Sequence, residues 1–276
     1  MCHSIYTMTE VIDDRLNLDH TLQFNNSFKK VDYYRIPPAN GIENVNRPGV
    51  ITFRCANREM YPSIYNSLIR VKLSIKGIGD TMNLEHIAIL RMFDSMKLMF
   101  GTNDMESLTS VSGEATTMFN FVATSATFRS TYGAISGWFP DDHKDANKDK
   151  NSGYKDRIQF YKDGATVMIP LKLIFGYTDY EKVVHLIDNI SLVLNRKSDA
   201  VIKDEVFFGT AKIKNSSNVV IEPEVSFSEL EWWIPSHTLN LLAETHYVKR
   251  LNEKKTFNIT YMRRHSSSVR FTSSKY

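Results

Sequence analysis

Eight histidines, two cysteines and three tryptophans offer most of the chemistry this 276-residue chain could do. Zinc centres take Cys and His at short fixed spacings, and His3, His20, His86, His143, His185, His237, His246 and His265 form no such pairs. No G-x-S-x-G elbow, P-loop or H-E-x-x-H helix occurs. Gly77-Ile78-Gly79-Asp80 begins like a dinucleotide loop, but the third glycine is missing and no βαβ unit follows, so a turn is expected.

Asp145, Asn147 and Asp149 fall at the first, third and fifth positions of a calcium loop. The position that requires Gly holds Lys150, and the position of the bidentate Glu holds Asp156. Lys144, Lys148 and Lys150 oppose a cation there, so residues 141–153 read as a solvated loop. Trp138, Trp232 and Trp233 could stack on sugars or bases, although a sandwich-strand Trp usually buries its large surface. Lys254-Lys255 and Arg263-Arg264 form a basic cluster too small for a nucleic-acid footprint. No catalytic, cofactor-binding or metal-ligating residue is assigned, and the reading is non-enzymatic.

Composition narrows the setting. Thirty-four basic residues nearly balance 31 acidic ones, and the net charge of +3 gives no strong pull toward nucleic acid or anionic lipid. No apolar run reaches membrane-span length, and the N-terminus lacks the basic-then-apolar order of a signal peptide. Cys2 and Cys55 are too few for a disulfide scaffold. An intracellular protein of cytoplasm or nucleus, not secreted, is expected.

The elements that would position these residues are mainly strands. Glu222–Pro235 is rich in β-branched and aromatic residues, and its alternation changes phase midway. A bulge near Ser228–Glu229 would turn Val225, Phe227, Leu230 and Trp232 to one core, leaving Glu231 and Trp233 outside. Ile69, Val71, Leu73 and Ile75 alternate with Arg70, Lys72, Ser74 and Lys76, as in a half-buried antiparallel strand. Further strands are read at 50–56, at 167–169 ending by Pro170, at 190–194 and at 206–213. His86–Phe100 reads as two short strands or one kinked strand. Met118, Phe119 and Val122 have helical spacing, and 171–175 reads as a helical turn ending at Gly176. Residues 195–199 read as a turn. Ser236 is read as the cap of a helix over 236–251 with Leu239, Leu242 and Val248 on its apolar side. The pattern is all-β, an antiparallel jelly-roll sandwich with short helices.

Four stretches together resemble a known family: Glu106 with Gly113-Glu114-Ala115-Thr116-Thr117-Met118; Gly153-Tyr154-Lys155-Asp156-Arg157; Ile169-Pro170-Leu171-Lys172-Leu173-Ile174-Phe175-Gly176-Tyr177 with Tyr180-Glu181-Lys182-Val183; and Leu230-Glu231-Trp232-Trp233-Ile234-Pro235. Their order and spacing resemble the double jelly-roll-like domain proteins, themselves similar to major capsid proteins of Polinton-type mobile elements and related viruses. The resemblance spans Val50 to Arg264, and the Ile-Pro-Leu to Phe-Gly-Tyr segment is its most specific part. It implies structural motifs without catalytic residues, and a homo-oligomer, a trimer if the chain is complete. It also implies an N-terminal arm over 1–48, a jelly roll over 49–235, a linker helix over 236–252, and the start of a truncated second jelly roll over 253–276. Residues beyond 253 are then expected to pack poorly on the first domain.

Two readings of function follow. One is a capsid-like, virus- or mobile-element-derived structural protein that works by self-assembly. The other is a lectin-like jelly-roll module binding a glycan or protein through loop aromatics such as Trp138 and Phe139.

Overall fold

The computed structural model describes residues 28–56, 61–78, 82–109, 112–145, 147–179, 189–209, 222–254 and 261–267. Its strands are β1 (Phe28–Ile36), β2 (Gly49–Cys55), β3 (Tyr61–Pro62), β4 (Leu68–Lys76), β5 (Met82–Leu84), β6 (Phe93–Phe100), β7 (Asn103–Leu108), β8 (Ala165–Pro170), β9 (Ile190–Arg196), β10 (Phe207–Gly209) and β11 (Glu224–Leu239). Its helices are α1 (Ala88–Arg91), α2 (Ser112–Ala123), α3 (Ala126–Phe128), α4 (Ser152–Tyr161), α5 (Asp199–Glu205) and α6 (Leu241–Asn252).

Two antiparallel sheets face each other. One has the order β1-β11-β4-β8, with β3 paired to β11; the other has the order β2-β9-β6-β7. Burial follows the period-of-two expectation for β4, with Ile69, Val71 and Leu73 inside, Ile75 half-buried and Lys72 and Lys76 in water. From the facing sheet come Ile51, Phe53, Met96, Leu98, Leu192 and Leu194, which join them in one apolar core. Phe93 and Phe227 stack across the gap with ring centroids 6.4 Å apart. The two sheets, joined by short helices, make the antiparallel jelly-roll sandwich that the pattern implied.

β11 carries the expected bulge, with its register against β4 shifting between Phe227 and Glu229. Val225, Phe227, Leu230, Trp232 and Ile234 are all buried as a result. The side chain of Asn46 supplies what the bulge cannot. Its Nδ2 donates to the Phe227 carbonyl at 2.9 Å and its Oδ1 accepts from the Phe227 N–H at 2.7 Å. A side-chain amide thus replaces a neighbouring strand for one residue.

Several elements differ from expectation. β1 lies within the stretch read as an arm, yet it pairs with β11 from Phe28↔Leu239 to Ile36↔Trp232. Nearly every residue of β1 is exposed on both faces, so no burial alternation was written into its sequence. His86–Phe100 is a helical turn, α1, followed by the single strand β6. Ile87 enters that turn in the left-handed region at φ 46°, and Ala88, Ile89 and Leu90 are all buried, which left no period to read. The expected turn at 195–199 is instead the end of β9 and the start of α5, capped by Ser198. β11 continues to Leu239, so Ser236 is a strand residue paired with Pro62 and Asp32. Asn240 caps α6 instead, its Oδ1 accepting from the Ala243 N–H at 2.7 Å. β8 ends at Pro170 as expected and stands at a sheet edge, where a missing N–H costs nothing.

α2 is the helix that Met118, Phe119 and Val122 announced, but it is turned over. Its buried side is Ser112, Gly113, Thr116 and Asn120, while Met118, Phe119, Phe121 and Val122 face water. Close approach explains the inversion. A Cβ at Gly113 would overlap the Leu90 carbonyl and the Arg91 Cα, so the helix backbone sits directly on α1. Asn120 Nδ2 then donates to the Leu173 carbonyl at 2.7 Å. We expect Gly113→Ala to lower stability by about 1–3 kcal/mol, the usual cost of forcing a methyl into a packed contact, measured by thermal or urea unfolding.

Candidate assembly surface

The buried polar residues of this molecule hold elements together. Glu106, on β7, is fully buried. Its Oε1 accepts from the Gly176 N–H at 2.9 Å and the Arg264 N–H at 2.7 Å, and its Oε2 accepts from the Tyr177 N–H at 2.9 Å. A buried carboxylate is costly unless its lone pairs are filled, and three backbone amides fill them here. Gly176 must be glycine because a Cβ would collide with the Met262 carbonyl. The Phe-Gly-Tyr turn is therefore the receptor for a passing chain segment.

Over residues 261–267 that segment packs on the sandwich, against the expectation of poor packing beyond residue 253. Tyr261 stacks edge-on against Tyr177 at 4.9 Å and donates its hydroxyl to the Met105 carbonyl at 2.7 Å. The Arg264 guanidinium donates to the carbonyls of Leu173 (2.9 Å) and Lys172 (3.0 Å) and lies 4.3 Å over the Phe119 ring. Ser266 donates to the Thr109 carbonyl at 3.1 Å. Phe257 and Ile259, read as part of a strand starting a second barrel, lie outside the described residues. The basic pair Arg263-Arg264 thus splits: Arg264 is structural, and Arg263 is exposed.

A second cluster closes the loop after Trp138. Arg157, on α4, is fully buried; it donates to Asp141 Oδ1 at 2.8 Å and to the Phe139 carbonyl at 2.6 Å. His86 Nε2 lies 2.9 Å from Asp141 Oδ2, and its Nδ1 lies 3.2 Å from Arg157 Nη1. An Nε2–H tautomer satisfies both contacts, donating to Asp141 and accepting from Arg157. Burial pushes the Asp141 carboxyl up, but the His86 hydrogen bond and the Arg157 charge outweigh it, and the net pKa is below the usual carboxylate range. Desolvation likewise lowers Lys197, yet its bonds to Glu114 (2.8 Å) and Glu205 (2.6 Å) raise it overall, and they tie α2 to α5.

The other sequence candidates have local roles. Lys150 Nζ is 3.2 Å from Asp145, Asn147 Oδ1 accepts from the Asp149 N–H at 2.8 Å, and Asp156 is exposed on α4. These oxygens do not converge. Among the described residues no group of three or more His, Cys, Asp or Glu is placed to hold a metal ion. Trp138 is not a loop aromatic in water: it is fully buried beneath Phe121, their rings stacked at 5.8 Å. Trp232 is core. Trp233 is half-buried on the outer face between Arg35 (4.6 Å) and Arg70 (5.6 Å). Gly77 makes the expected turn at φ 74°.

One outward face is apolar. α2 presents Met118, Phe119, Phe121 and Val122, and Tyr132 and Met262 are exposed as well. Helical spacing alone marked three of these, and it marked the helix without saying which side would be buried.

Comparison with solved structures identifies the fold. A chain of the Sputnik virophage superposes with a TM-score of 0.57 at 11% identity, over 85% of this chain and 53% of that one. VP54 of PBCV-1, fitted into a reconstruction of the virophage Sputnik, gives 0.51 at 8% identity, over 84% and 47%. The Faustovirus major capsid protein gives 0.48 at 8% identity, over 84% and 59%. The chain thus spans about half the length of the first two proteins, and over that part it shares their fold. No protein-family model matches the chain, and no curated protein sequence does.

Three variants test the clamps. Glu106→Ala strands three amides, and we expect a loss of about 3–5 kcal/mol in denaturant unfolding. Removing residues 261–276 takes away one of the three donors and should also lower the melting temperature. Asp141→Asn leaves buried Arg157 without its carboxylate, which should cost ~3 kcal/mol at neutral pH. Because the folded Asp141 pKa is depressed, its contribution is whole above the unfolded carboxyl pKa of about 3.9 and vanishes as pH falls through the folded value. The gap in melting temperature between parent and variant should close only in that acid range.

Proposed function

We propose that this chain is a non-enzymatic, capsid-like structural protein of viral or mobile-element descent that acts by assembling with copies of itself. One observation carries the reading: most of the chain shares its fold with viral capsid proteins. The use of buried polar groups supports it. Glu106, Arg157 and Asn120 each bind backbone atoms of a distant segment, as a scaffold requires. Function then resides in contact surfaces, and the partner is a second copy of this chain in a closed oligomer such as a trimer.

Sedimentation velocity on the purified chain tests this. Discrete oligomers whose population rises with concentration are expected; a monomer at every soluble concentration would overturn the proposal.

A further inference from the structure

The apolar face of α2 is inverted relative to any helix that serves only its own core. We infer that this face is the site at which a second copy of the chain docks, an inference that rests on the assembly reading.

Area speaks for a protein partner. Met118 is 73%, Phe119 47%, Phe121 49%, Val122 90%, Tyr132 57% and Met262 85% exposed. At about 200 Å² for a fully exposed large apolar side chain, these fractions amount to on the order of 800 Å². The largest apolar patch on a typical monomer is about 300–600 Å². Roughly 800 Å² is what each partner contributes to a stable interface of ordinary size.

The residues adjoin one another. Phe119 and Met262 line the same cleft of about 290 Å³, along with Leu108, Ala115 and Ile174. Arg129 lies 5.2 Å over Phe121, and Tyr132 follows it on the next helical turn. Met118 and Val122 lie one helical turn apart on α2 and project beside the cleft, so this part of the surface carries both a projection and a slot for a second copy.

The face is also held in place before binding. Phe121 is stacked on buried Trp138, and Arg264 fixes Phe119 from the side. Lys172 sits within 6 Å of three rings, at 5.4 Å from Tyr132, 5.8 Å from Phe128 and 5.7 Å from Tyr65. Rigid aromatic anchors lose little entropy on association.

The test compares the parent chain with Val122→Asp and with Met118→Glu in sedimentation velocity, with far-UV dichroism and melting temperature measured on each. Both side chains point into water, so the folded monomer should be unchanged. The inference expects each variant to dissociate at concentrations where the parent is assembled, a shift of tenfold or more in the midpoint. Variants that assemble like the parent would overturn it while leaving self-assembly standing. A parent that never assembles would overturn both.

Discussion

A carboxylate with no access to water holds the architecture to its accessory segments. Glu106 closes on two amides of the Gly176–Tyr177 turn and one of Arg264, so three parts of the chain far apart in sequence meet at one charged group. Dispersion and apolar burial give a sandwich stability but little positional specificity. A buried ion that tolerates one arrangement of donors gives specificity instead. The cost of desolvating Glu106 is the reason the turn, the strand β7 and the segment at 261–267 have a single relative placement.

The same logic recurs around the sandwich. Arg157 ties α4 to the loop at 139–141, Asn120 ties α2 to Leu173, and Asn46 stands in for a strand at the bulge. Glycines complete the set by removing volume where backbones must touch. Gly113 lies on the Leu90 carbonyl, Gly153 on the Pro140 carbonyl and Gly176 on the Met262 carbonyl. The short motifs that suggested a capsid-like family are therefore joints between backbone segments.

How much was legible follows from where burial alternates. β4 and β11 have one wet and one dry face, and their sequences announce strand, buried face and even the bulge, whose register shift falls between Phe227 and Glu229. β1 has two wet faces and announces nothing. Ile87–Leu90 is dry all round and equally silent about its helical turn. The helix α2 was legible from Met118, Phe119 and Val122, but a periodic apolar stripe does not say what covers it, and the buried side is Ser112, Gly113, Thr116 and Asn120. Trp138 is buried, as large aromatic side chains usually are, but that Phe121 covers it was not legible, because Phe121 arrives from a different element. Glu106 and Arg264 could have been paired only with knowledge of the fold, since 158 residues separate them.

The strand order also dictates a sequence of events at the ribosome. β11 is the last described strand to be synthesised, yet it lies between β1 and β4, at the middle of its sheet. Until it emerges, β1 has nothing to pair with and β4 has one open edge. Trp232, which faces Ile36 on one side and Ile69 on the other, must travel the whole length of the domain to reach them. Such distant pairing is slow, and the nascent chain spends that interval without the core side chains of β11. Synthesis rate, and not only stability, thus bears on how much of this protein folds before it meets another copy of itself.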